Sequence, residues 1–130
     1  GAKNQNAALT IIKYLNGQNV AIQEVAFEAM GNIGLPEFGK LVAQTRPLQS
    51  PGHPGTAAYR IDALTGMGYC LPATELTQLL KFGGMYTRFS AITMVVKFKV
   101  SELRDVVAKV ANSDRDPVVR DAAQDALTKI

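Results

Sequence analysis

Asp114-Arg115-Asp116-Pro117-Val118-Val119-Arg120-Asp121-Ala122-Ala123-Gln124-Asp125-Ala126-Leu127-Thr128-Lys129-Ile130 decides the reading of the whole chain. Weaker copies of it recur upstream. Ala126-Leu127 followed by Ile130 is matched by Met94-Val95 and Phe98, by Ala63-Leu64 and Met67, and by Ala29-Met30 and Ile33, at steps of 32, 31 and 34 residues. A fixed period in this range marks stacked helical hairpins, each unable to bury its apolar face alone.

Working back from that stretch, helical periodicity and chain breakers predict eight helices in four hairpins, with no sustained alternation to suggest a sheet. The first helix is expected over 4–15, with Leu9, Ile12 and Leu15 inward, ending at Asn16-Gly17. The second, over 20–33, carries an apolar stripe of Ile22, Val25, Ala26, Ala29, Met30 and Ile33. Gly34 supplies a left-handed stop and Pro36 opens the next helix, which runs to about residue 45. Further helices are expected over 55–67, 72–82, 85–98 and 102–111, with Ser101 as an N-cap, and from Pro117, capped by Asp116. One domain, 1–130, with repeats at 1–34, 35–70, 71–99 and 100–130, accounts for the length.

Composition narrows the function classes. Hydrophobic residues make up 47% and charged residues 19% of 130, the balance of a folded globular chain. No apolar run approaches the roughly 18 residues of a membrane span. Beginning at Gly1 rather than Met, the chain is expected to have lost an N-terminal tag or targeting piece. A single cysteine fits a reducing compartment, so a cytoplasmic location is expected. The net charge of +3 is uneven: residues 38–101 sum to +5, and each flanking segment to −1.

The last hairpin resembles the HEAT repeat, in particular the short phycobilisome-lyase-type subfamily, through Asp116-Pro117, Val119-Arg120, Ala122-Ala123, Ala126-Leu127 and Ile130. The third copy keeps Arg88, Ala91 and Phe98 in register. The second has Ala57 where the family carries arginine, and the first has Gln23. The resemblance implies an all-α, right-handed α-solenoid whose second helices line a concave face. Arginine at the position of Arg88 usually bonds to neighbouring turns in this family. The resemblance does not imply an activity, because a repeat family is a scaffold. Deoxyhypusine hydroxylases of similar architecture hold iron with paired His-Glu steps, whereas here His53 stands alone and is followed by Pro54. The related alkyl-purine glycosylases use tryptophans, and this chain has none. Bilin lyases have no motif against which to test it.

Motifs that mimic chemistry have plainer explanations. The stretch Gly34-Leu35-Pro36-Glu37-Phe38-Gly39-Lys40-Leu41 nearly spells a phosphate loop, yet Leu41 replaces the magnesium-holding hydroxyl and Pro36 opens a helix. Cys70 has no nearby base and reads as an inert thiol. His53, in a proline-rich loop without acidic neighbours in sequence, reads as solvated. No spacing suggests a metal or a cofactor.

The repeat register lays Glu28, Asp62, Thr93 and Asp125 in one solvent-facing column. Glu24, Ala58, Phe89 and Asp121 fall one turn earlier, and Asn32, Gly66, Lys97 and Lys129 one turn later. The expected function is therefore a non-catalytic scaffold holding a protein partner along the second helices. Its contacts would be Glu24, Glu28, Asp62, Thr93, Lys97, Asp121 and Asp125, with Arg46 and His53 of the loop at the edge. The alternative is an anion or nucleic-acid module using Lys81, Arg88, Lys97 and Lys99, interleaved with aromatics between Glu75 and Glu102. A lyase-like enzyme is a third reading. Because Ile130 ends the chain on an apolar repeat position, a homodimer or longer array through that end is also expected.

Overall fold

The computed structural model describes residues 1–130 as an all-α protein of eight helices: α1 Ala2–Leu15, α2 Val20–Ile33, α3 Gly39–Gln44, α4 Thr56–Gly66, α5 Ala73–Phe82, α6 Met85–Lys97, α7 Arg104–Ser113 and α8 Pro117–Leu127. Consecutive helices pair into four hairpins that fall into two compact units, Gly1–Cys70 and Leu71–Ile130. The division coincides with the junction of the second and third sequence repeats. In each unit the second helices pack together, α2 on α4 and α6 on α8, as in a helical solenoid. None of the helices is long and apolar enough to cross a membrane.

Local chemistry explains several helix ends. Asn19 caps α2 by accepting from Ile22 N–H at 3.0 Å, and Asp116 caps α8 by accepting from Val118 and Val119 N–H at 2.8 and 3.2 Å. Gly34 closes α2 in the left-handed region, at φ 69°. α4 and α6 end alike. Tyr69 N–H reaches Leu64 O over Gly68, and Val100 N–H reaches Val95 O over Lys99, which takes φ 49° without glycine's freedom.

Two expected starts are corrected. Ser101 does not cap a helix: it opens a 3₁₀ turn, Ser101–Leu103, from which α7 continues. The third helix likewise splits into a 3₁₀ turn, Pro36–Phe38, followed by α3. Gly39 lies against the Tyr69 ring, too closely for a β-carbon, so the phosphate-loop look-alike is packing of the start of α3 against the segment after α4.

The inward side of α2 is also corrected. Ile22 and Val25 are 46% and 69% exposed, while Gln23, Ala26, Phe27 and Met30 are buried. Leu9 of α1 is exposed as well, leaving Ala8 and Leu15 as the residues that α1 buries.

Gln23 is buried because it fastens its hairpin. Its amide donates to Leu15 O at 2.9 Å, where α1 ends with an unpaired carbonyl. Each second helix repeats this device. Arg60 donates to Ala43 O near the end of α3, Arg88 to Gly83 O after α5, and Arg120 to Asp114 O after α7. One donor-rich side chain thus satisfies the C-terminal end of each first helix, where positive charge is also favoured. In the second repeat the arginine has moved from position 57 to 60, nearly one turn along.

Small residues set the approach of α2 to α4. A β-carbon on Gly31 would lie 3.0 Å from Ala63 Cα, and one on Gly66 would lie 2.8 Å from Gly31 O. Gly66→Ala sets a helix-propensity gain of up to about 1 kcal/mol against forced separation of two backbones at about 1–3 kcal/mol. The clash is with main chain and should win. We expect a lower urea midpoint with an unchanged slope; a higher midpoint would show that the helices part freely.

Candidate functional site

In the first unit the register positions converge. Glu28 and Asn32 of α2 and Asp62 and Gly66 of α4 are exposed, and with Tyr59 they line a cleft of about 190 Å³. Its floor is Gly31 and Ala63, so the close helix approach that demands glycine also leaves backbone open at the bottom. Two carboxylates from different helices, an amide oxygen and a phenol ring suit a Lys or Arg side chain.

Glu24 and Ala58, one turn earlier, do not continue this column. Ala58 is buried. Glu24 is largely covered, accepts from Thr56 Oγ1 at 2.8 Å and pairs with His53 Nδ1 at 2.9 Å. His53 therefore has an acidic partner supplied by the fold, and is not simply solvated as its sequence neighbours imply. The rest of the loop is held as well: Gln23 donates to Arg46 O at 3.0 Å and accepts from Leu48 N–H at 2.8 Å. The Arg46 side chain stays exposed, beside a cleft of about 330 Å³ between this loop and the turn after α1. The polar atoms of Gln23 facing that cleft already serve the backbone.

In the second unit, α6 exposes Phe89, Thr93 and Lys97, and α8 exposes Asp121, Asp125 and Lys129. Lys129 Nζ sits 2.8 Å from Asp125 Oδ2, an exposed pair one helical turn apart, so that carboxylate is offset within its own helix.

The alternative basic set does not assemble. Arg88 is 2% exposed, and its guanidinium grips Asp114 through Nε–Oδ2 at 2.8 Å and Nη2–Oδ1 at 2.9 Å. It is unavailable to phosphate. Lys97 lies nine residues along α6 from it, about 13 Å at 1.5 Å per residue. Burial pushes the Asp114 carboxyl up. Hydrogen bonds from Arg88 and from Asp116 N–H, with the charges of Arg88 and Arg115, outweigh it and hold the group below the usual carboxylate range.

What sequence reasoning missed is a different cationic grouping. Lys81, Lys109 and Arg115 border a cleft of about 220 Å³ whose wall includes the neutralised Arg88–Asp114 pair. Lys81 and Lys109 stand 28 residues apart, so only the packing of α5 with α7 reveals them as neighbours. Cys70 is half-buried, and no group of three metal-ligating side chains forms.

No protein-family model, curated protein or solved structure matches this chain.

Proposed function

We propose that the chain is a non-catalytic interaction scaffold built of HEAT-like hairpins. It holds a protein partner on the exposed side of its second helices and seats a basic side chain between Glu28 and Asp62. The cleft in the first unit carries this reading, because opposite helices offer it carboxylates over an open glycine floor. The HEAT-like assignment is supported by the Asp116-Pro117 cap and by the buried donors that close each hairpin. Thr93, Lys97, Asp121 and Asp125 extend the contact on the second unit, while Glu24 and His53 support the loop and leave Arg46 as its outward contact.

A second reading, an anion-binding module, is favoured by the cations around the 220 Å³ cleft. One assay separates the two. With a partner recovered from the native host, titration against Glu28→Lys/Asp62→Lys should weaken binding at least about tenfold, or 1.4 kcal/mol. Lys81→Glu/Lys109→Glu should leave it unchanged. The reverse pattern, with a steep salt dependence, would replace the first reading by the second.

A further inference from the structure

The cationic cleft of the second unit is assembled from three elements, each bringing one exposed charge. Lys81 comes from the last turn of α5, Lys109 from α7 and Arg115 from the turn before α8. Leu80 precedes Lys81 and Val110 follows Lys109, so each helix sets an apolar side chain beside its charge. Both are buried, and Val106, one turn before Val110, is half-buried. The cleft therefore has an apolar wall beneath a cationic rim.

These charges are not consumed by the fold. Cations near helix C-termini commonly answer unpaired carbonyls. Here Arg88 already donates to Gly83 O after α5, and Arg120 to Asp114 O after α7. Asp114 is the one carboxylate among the lining residues. Arg88 occupies both of its oxygens, and Asp116 N–H shares one. Asp105 lies one turn before Lys109 on α7 without pairing with it, and Lys81 forms no ion pair either. Four cations thus line the cleft against a single, fully engaged carboxylate, and three of them keep their donors free.

We infer that this cleft binds a phosphate monoester carried on an apolar body, of which an aryl phosphate is the simplest case. The proposal takes from the second reading only that the cleft accepts anions, and it is independent of the partner's seat in the first unit. A phosphate monoester brings nearly two negative charges at neutral pH and three acceptor oxygens. That matches cations arriving from three elements better than the single charge of a carboxylate. Arg115 offers a planar fork and the lysines offer point charges. The apolar wall, with the methylene stems of Lys81 and Lys109, is covered only by a ligand that extends beyond its phosphoryl group. A volume of about 220 Å³ suits one small molecule, and the charges ring one cleft instead of tracking along a groove as a nucleic-acid strand requires.

Backbone-amide chemical shifts of the 130-residue chain test this by titration with phenyl phosphate, inorganic phosphate and benzylamine. Fixed ionic strength and a pH of about 7.5 keep the phosphoryl group dianionic. Phenyl phosphate should move the amides of Lys81, Lys109 and Arg115 saturably, and bind at least about tenfold more tightly than inorganic phosphate. Lys81→Gln/Lys109→Gln should weaken it at least about tenfold. Glu28→Lys/Asp62→Lys should leave it unchanged. Equal affinity for the two phosphates overturns the ligand class while the anion-binding reading survives. Shifts at these amides from neither phosphate overturn both. Benzylamine moving them as strongly as phenyl phosphate overturns the proposal too, because the cleft would then be reading the ring and not the charge.

Discussion

Arg88→Met should lower the unfolding free energy by up to about 3–5 kcal/mol, because it leaves the largely covered Asp114 carboxylate in the cleft wall without its partner. Asp114 is 6% exposed and takes both of its Arg88 hydrogen bonds from one planar fork. The same substitution frees Gly83 O, which Arg88 holds at 2.9 Å. Replacing both partners, as Arg88→Met/Asp114→Leu, should recover much of the loss, since the penalty lies in the unpaired charge rather than in the absence of the pair. Urea unfolding at neutral pH measures both variants. A single-variant loss under about 1 kcal/mol would mean that Asp114 finds water instead.

The pair also sets an acid dependence. Asp114 titrates below the usual range when folded, so on acidification the unfolded chain takes up the proton first. Its contribution is complete above the ordinary carboxylate pKa of about 3.9. It is lost as pH falls through the depressed folded value. The wild type should therefore lose stability more steeply than Arg88→Met/Asp114→Leu below about pH 4.

Gln23→Leu should be the second costly change. The side chain is 1% exposed, and its amide serves Leu15 O, Arg46 O and Leu48 N–H at once. Leucine fills the volume and satisfies none of them. Each unmet buried group costs about 1–3 kcal/mol. With part of the loop regaining water, a loss of about 2–4 kcal/mol is expected. Hydrogen exchange adds a local signature: the Leu48 amide should lose protection more than amides of the second unit. Uniform loss across the chain would assign Gln23 a role in packing only.

These two residues show how far the sequence could be read. The period of 32, 31 and 34 residues is a property of the chain itself, so helices and hairpins were legible from it. Arg88 was legible as a structural arginine through its register with Arg120. Arg60 was not, because its donor enters from a shifted position and only the path to Ala43 O explains it. The α2 stripe failed for another reason. Ile22 and Val25 carry the periodicity of a core helix, yet burial depends on a neighbour that periodicity cannot supply. At the surface, Glu28, Asp62, Asn32 and Gly66 were placed together correctly. Glu24 was not, since its partners His53 and Thr56 lie 29 and 32 residues away. The Lys81–Lys109 proximity was equally invisible, resting wholly on helix packing.

Gln23 and Glu24, adjacent on one helical turn, clasp the proline-rich segment at two places, Arg46 with Leu48 and His53, and Glu24 also holds Thr56 at the start of α4. The segment is thereby a hoop hinged on α2. With His53 drawn outward, Glu24 would keep only the Thr56 hydroxyl as partner, one turn from Glu28, so the negative charge that α2 offers to solvent depends on where the hoop lies.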